Sequence, residues 1–174
     1  MKTVITGKTH VFGNNIDTDQ IYPGRYLELT DPKEIAKHCL EGARGSDSSQ
    51  PSFVSEFKAG EIVVGGTNFG CGSSREQAAI TLKTIGVSII IAKSFGRIFY
   101  RNAINLGLPL IICPELEKLG LNNEGAEITI DLEKGTVKNN STGTQIACEP
   151  ISEYAMEILK NDGIKNMIKA QLGK

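Results

Sequence analysis

The residues best suited to chemistry stand together at Asn68-Phe69-Gly70-Cys71-Gly72-Ser73-Ser74-Arg75-Glu76. Glycines at 70 and 72 let the backbone turn sharply and bring its N–H groups close to a ligand. A helix is predicted from Arg75 to Ile85, and its unpaired first N–H groups and positive dipole end favour an anion in the same space. Arg75 adds a planar fork that can grip a carboxylate bidentately. A serine held there has a second use. Cationic charge and N–H donors favour its alkoxide, which can take a proton from carbon beside a carboxylate while Arg75 neutralises the developing charge. The same letters also spell an ordinary folding signal, since Ser73-x-x-Glu76 is a capping box. The lysine and spacing of a phosphate-gripping P-loop are absent.

The surrounding pattern supplies the scaffold. Thr3 to Phe12 is predicted as strand with Gly7 as a break, followed by a polar turn at Gly13–Asp19. Thr30 or Asp31 caps a helix with Pro32 in its first turn, ending near Gly42, and Gly42–Ser52 is a polar surface loop. Glu61–Gly66, Val87–Ala92 and Leu110–Ile112 are short apolar strands. Between them lie the helix after the serines and a second, capped by Ser94 and closed by Gly107. Strand, helix, strand, helix, strand implies parallel βαβ pairing. Ala126–Asp131 alternates with period two and turns back at Glu133-Lys134-Gly135 through Thr136–Lys138, with a further strand at Thr144–Cys148. Two helices, Ser152–Leu159 and Gly163–Leu172, finish the chain. The expectation is one α/β domain over residues 1–174, its sheet mixed and partly parallel, with helices over one side.

Composition narrows the function classes. The 174 residues are 40% hydrophobic and 22% charged, with net charge −1, the balance of a globular protein large enough for one core. Near-neutral charge without a Lys/Arg run argues against nucleic acid and anionic membranes. No apolar run reaches spanning length and none resembles a signal peptide, so a cytoplasmic location is expected. Cys39, Cys71, Cys113 and Cys148 are scattered without a C-x2-C pair, so free thiols are expected in place of a metal site or disulfides. His10 and His38 have no constellation around them and receive no role. Arg97 and Arg101, four apart on one helix, are expected on a solvated or structural face, and the Phe95/Ile98/Phe99 stripe in the core.

Three blocks carry a family resemblance. Asn15-Ile16-Asp17-Thr18-Asp19-Gln20-Ile21, with Tyr26-Leu27 and Asp31-Pro32 after it, resembles the opening of the small subunits of aconitase-type hydro-lyases, the 3-isopropylmalate dehydratase and homoaconitase group. Asn68 to Ala78 resembles their signature loop, and Ala92-Lys93-Ser94-Phe95-Gly96-Arg97-Ile98-Phe99-Tyr100-Arg101-Asn102-Ala103-Ile104-Asn105 a third block, in the right order. The resemblance implies a swivelling β/β/α domain like the fourth domain of single-chain aconitases. It also implies a large partner subunit holding a [4Fe-4S] cluster, and dehydration and rehydration of a small dicarboxylate. By the same resemblance Ser73 is the base, Ser74 and Arg75 contact substrate, and Asp19 lies at the active site. Cys71 is then a structural residue of the serine loop.

Substrate choice in this family resembles a contest over the residues after Tyr-Leu. Here Glu28 occupies the place where homoaconitase-like chains carry an arginine, and its charge would repel a third substrate carboxylate. Leu29 could line an apolar pocket. Isopropylmalate is therefore favoured, with 2,3-dimethylmalate and homocitrate/homoaconitate as alternatives. A reading of another class is a non-catalytic carboxylate-binding or regulatory module. Self-association of the isolated chain is compatible with the sequence.

Overall fold

The computed structural model describes residues 1–45, 49–121 and 125–173. Ser46, Asp47 and Ser48 of the expected surface loop lie outside the described residues. One sheet of seven strands organises the chain, in the order β4-β3-β2-β1-β5-β6-β7. The strands are β1 (Val4–Val11), β2 (Ile62–Val64), β3 (Ile89–Ala92), β4 (Leu110–Ile112), β5 (Glu127–Asp131), β6 (Thr136–Asn139) and β7 (Gln145–Ala147). β1 to β4 pair in parallel; β5, β6 and β7 extend the sheet antiparallel from the other side of β1. The expected break at Gly7 does not occur. Gly7 sits in the ladder opposite Ile128.

Alternation divides the strand side chains between two cores. Val63, Ile90, Ala92 and Leu110 face the helices. Ile62, Val64, Ile89, Ile91, Ile111, Ile128, Ile130 and Val137 face the other way, into the hollow of the curled sheet with Leu116 and Leu119. The sheet curls until its two edges meet just beyond the strands. Glu149 N–H donates to Ile112 O at 2.8 Å, and Cys113 and Cys148 form a disulfide. That bond corrects the expectation of free thiols. The two cysteines leave opposite edge strands, 35 residues apart in sequence, and only the curl brings them together. Cys39 and Cys71 remain free.

The helices are α1 (Thr18–Ile21), α2 (Pro32–Ala36), α3 (Phe53–Glu56), α4 (Glu76–Ile85), α5 (Arg97–Asn105), α6 (Glu153–Lys160) and α7 (Ile164–Gln171). Asp31 caps α2 through Lys33 N–H with Pro32 in its first turn, and the helix is shorter than the expected run to Gly42. Helix α4 presents Ala78, Ala79 and Leu82 to the core, and its Thr81 hydroxyl donates to Ile35 O on α2 at 3.1 Å.

Two local expectations change. Ser94 does not cap α5; its Oγ accepts from Asn68 N–H at 2.7 Å, and Gly96 stands at the N-cap. Of the aromatic stripe, Phe99 is buried, Phe95 half-buried and Ile98 exposed. The helix begins at Arg97, so Ile98 falls on its outer face.

Candidate functional site

The parallel strands end on one side, at Val11, Val64 and Ala92, and the three sequence blocks leave the sheet there. Hydrogen bonds zip the first two together. Gly66 N–H donates to Gly13 O, Asn15 N–H to Thr67 O, Gly70 N–H to Ile16 O and Thr18 N–H to Cys71 O, all at 2.7–3.0 Å. Asn14 Oδ1 accepts from Thr67 N–H at 2.8 Å, and Asn68 Nδ2 lies 3.4 Å from Asn15 Oδ1. Asn15 and Asn68 both have positive φ, 53° and 59°, a conformation asparagine tolerates better than most residues.

The third block is the floor. Phe69 is fully buried, its N–H donating to Ser94 O and its carbonyl accepting from Gly96 N–H. Gly70 lies so close to Phe99 that a Cβ there would fall 2.3 Å from the ring, and a Cβ on Gly96 would fall 2.6 Å from Gly70 O. The glycines permit the serine loop to lie flat on the start of α5.

On this floor Arg75 and Asp19 meet. Arg75 Nη1 donates to Asp19 Oδ1 at 2.5 Å and to Tyr22 O at 3.0 Å. Asp19 Oδ1 also accepts from Gly24 N–H at 2.9 Å. The Arg75 hydrogen bond, and then the Gly24 N–H, hold the Asp19 carboxyl below its ordinary value. Both protein bonds of Arg75 use Nη1, so its Nη2 and Nε donors face no protein acceptor among the described residues. Arg75 itself is largely covered, at 18% exposed. A guanidinium fixed through Nη1 alone keeps two donors, Nη2 and Nε, whose fork geometry matches a carboxylate.

Ser73 and Ser74 are exposed beside it. The capping-box reading fails here, because Arg75 is the N-cap of α4 and no side chain caps the helix. What holds the loop is Thr18, buried, whose hydroxyl donates to Ser73 O at 2.9 Å. Thr18, Asn14 and Tyr22 receive no role from the sequence, and Ser94 is expected there only as a helix cap. Each lies in or beside the motif blocks, but its part is a contact with a distant segment that spacing does not reveal.

The other candidates divide. Glu28 is exposed and Leu29 half-buried, on the segment that follows the 3-10 turn Gly24–Tyr26; neither reaches the Asp19–Arg75 pair through a hydrogen bond or ion pair. Cys71 is half-buried, not buried, and enters a bridge with Asp17 through its backbone. Arg97 and Arg101 are exposed on α5, as expected. His10 and His38 each have a carboxylate partner, at 2.7 Å: Glu61 and Glu41. A cleft of about 840 Å³ lies at the opposite end of the parallel strands, lined by Val4, Gly60, Lys83 and Leu108 among others, and contains no motif residue. The serine loop instead stands on open surface.

Among the described residues no group of three or more His, Cys, Asp or Glu side chains is placed to hold a metal ion. Burial pushes the Cys39 thiol up to about 12, against a smaller lowering by Thr81, and Cys113 and Cys148 are bonded to each other. These residues do not fit an iron–sulfur cluster. Among the described residues no helix is long and apolar enough to cross a membrane.

A curled mixed sheet with helices on its convex side, carrying a serine–arginine loop at the parallel strand ends, defines the swivel-domain class of α/β proteins. The Aconitase C-terminal domain model matches residues 2–115, and the chain belongs to that family. The 3-isopropylmalate dehydratase small subunit 1 of Methanopyrus kandleri is 46% identical over 171 residues, 98% of this chain and 96% of that one. The isopropylmalate/citramalate isomerase small subunit of Methanocaldococcus jannaschii is 47% identical, over 100% and 99% of the two chains. The methanogen homoaconitase small subunit of Methanothermobacter thermautotrophicus is 46% identical over 95% and 91%. A crystal structure of 3-isopropylmalate dehydratase from M. jannaschii superposes with a TM-score of 0.86 at 43% identity, covering 97% of this chain and 95% of that one.

Proposed function

We propose that this chain is the small subunit of a heteromeric hydro-lyase that interconverts 2- and 3-isopropylmalate in leucine biosynthesis. A large subunit supplies the [4Fe-4S] cluster and the rest of the pocket. The observation that carries the reading is the Asp19–Arg75 pair beside exposed Ser73 and Ser74: Arg75 is fixed through Nη1, its Nη2 and Nε have no protein acceptor among the described residues, and two exposed serines precede it in the loop.

In this reading Arg75 binds a substrate carboxylate through Nη2 and Nε, and Ser74 adds a hydrogen bond. Ser73 Oγ takes the proton from the carbon beside that carboxylate. Asp19 keeps Arg75 aimed without being consumed. The cluster of the partner subunit supplies Lewis-acid chemistry at the leaving hydroxyl. Placing the chemistry on an open surface suits a site that a second subunit completes, and a domain that swivels can open it for substrate.

Exposed Glu28 disfavours a third substrate carboxylate, and Leu29 offers apolar surface to a branched group. The test is anaerobic reconstitution with the large subunit and hydration assays on isopropylmaleate, dimethylmaleate, methylmaleate and homoaconitate. Preference for isopropylmaleate supports the reading. Preference for another acid keeps the chemistry and replaces the substrate. An assembled, cluster-loaded complex inert to all four would favour a non-catalytic carboxylate-binding module.

A further inference from the structure

The segment Tyr22–Leu29 starts at the Asp19–Arg75 pair, since Tyr22 O accepts from Arg75 and Gly24 N–H donates to Asp19. Its other anchor lies away from the site. The Tyr26 ring stacks on His38 with centroids 3.5 Å apart and planes 15° from parallel. Its hydroxyl donates to Glu41 Oε1 at 2.9 Å. Arg25, its guanidinium 4.7 Å from the Tyr26 ring centroid, also donates to Glu41 Oε1, and His38 Nδ1 lies 2.7 Å from Glu41 Oε2. One carboxylate, 21% exposed, thus gathers three partners. Burial alone would raise the Glu41 carboxyl, but hydrogen bonds from His38, Tyr26 and Arg25 outweigh it and hold it below the ordinary range.

Tyr26 passes this anchorage forward. Its carbonyl accepts from Tyr22 OH at 2.6 Å and from Leu29 N–H at 3.0 Å, and Leu27 N–H reaches back to Gly24 O. The backbone that presents Leu27, Glu28 and Leu29 is therefore fixed at two points: the Asp19–Arg75 pair and the Tyr26 carbonyl.

We infer that Glu41 is a positioning residue for substrate selection, acting through Tyr26 to set where Leu27, Glu28 and Leu29 stand against the third substituent of the alkene dicarboxylate. The inference rests on the hydro-lyase reading above. It concerns discrimination and not the proton transfer. Loosening the anchor moves the walls of the substituent pocket while Ser73 and Arg75 keep their own supports, Thr18 and Asp19.

The test compares Glu41→Gln, Tyr26→Phe and their double variant in the reconstituted complex, with Glu34→Gln, whose partner is the exposed Lys37, as control. For the single variants the ratio of kcat/KM between preferred and disfavoured alkene acids should fall about five- to tenfold, the size of one lost hydrogen bond. The change should lie in KM, with kcat for the preferred acid within about twofold. The double variant should be no worse than the poorer single one, because both break the same contact. Glu34→Gln should match wild type. Equal losses on every substrate, with ratios unchanged, would mean only a structural role and overturn the inference while leaving the hydro-lyase reading intact. A wild-type complex inert to all the acids would overturn both. If Glu41→Gln does not fold, Tyr26→Phe, which removes one hydroxyl and keeps the ring stack, decides the question alone.

Discussion

Arg75 Nη1 lies 2.5 Å from Asp19 Oδ1 across 56 positions of sequence, and the same nitrogen donates to Tyr22 O. The two bonds occupy Nη1 and leave Nη2 and Nε without a protein acceptor among the described residues.

Replacing Arg75 with lysine keeps a charge but loses the fork. In the reconstituted complex Arg75→Lys should lower kcat/KM by about two to three orders of magnitude, the usual scale for losing a charge-stabilising donor. Asp19→Asn retains an acceptor for Gly24 N–H and should cost less, about tenfold. Carboxyl NMR titration provides an independent check. Asp19 titrates below its ordinary value of 3.8 in the wild type, and Arg75→Ala should move it up towards that value. Unchanged titration would mean that the two side chains do not pair in solution.

Neither serine side chain caps helix α4, and both are exposed. Ser73→Ala should therefore change folding stability by no more than about 0.5 kcal/mol, as at other exposed surface positions. It should nevertheless reduce kcat by about two to four orders of magnitude, if Ser73 moves the proton. Thermal melts of the small subunit and turnover of the complex separate the two effects. A large loss of stability would return Ser73 to the ordinary role of a helix-capping residue.

The parallel half of the fold was legible because its strands are continuous apolar runs separated by helical spacing, and Val63, Ile90 and Leu110 lie in the core accordingly. The antiparallel tail was legible from the period-two run ending at Asp131. What escaped was tertiary. Ser94 looked like a cap, but α5 starts three residues later and the hydroxyl serves Asn68 instead. Ile98 looked like core because its neighbours Phe95 and Phe99 are apolar. The motif blocks named Ser73, Arg75 and Asp19, yet the parts of Thr18 and Tyr22 depend on contacts over more than fifty positions. No local period encodes such a contact. Glu41 lies outside every motif block, and only the folded chain places it against Tyr26.

His10 is buried beside Phe53 and Phe57, with Nε2 2.7 Å from Glu61 Oε2 and Nδ1 without a partner. Burial would raise the Glu61 carboxyl, but bonds from His10 and from Lys58 N–H outweigh it, leaving it below 4.5. A lowered carboxylate pKa contributes stability that is complete above the unfolded value and lost as pH falls through the folded one. Glu61→Gln should accordingly cost about 1–3 kcal/mol near neutrality, the range for breaking a charged hydrogen bond. The gap from wild type should close on acidification below about pH 4.5. Urea melts at a series of pH values measure this, and a gap independent of pH would assign the loss to packing.

The Cys113–Cys148 bond closes a seam that the strand ladder leaves open. The edge strands β4 and β7 do not pair with one another; beyond their ends the disulfide and the Glu149 N–H to Ile112 O bond join them. Closing a loop of 35 residues restricts the unfolded chain by about 3–4 kcal/mol in the loop-entropy account. Cys148→Ser should lower stability by up to that amount, and a reducing agent should do the same to wild type while leaving the variant unchanged. Alkylation of the denatured, unreduced protein followed by mass spectrometry should label two cysteines, Cys39 and Cys71. Labelling of all four, with reductant-independent melting, would show that the seam is held by Glu149 and the inner apolar core without the covalent bond.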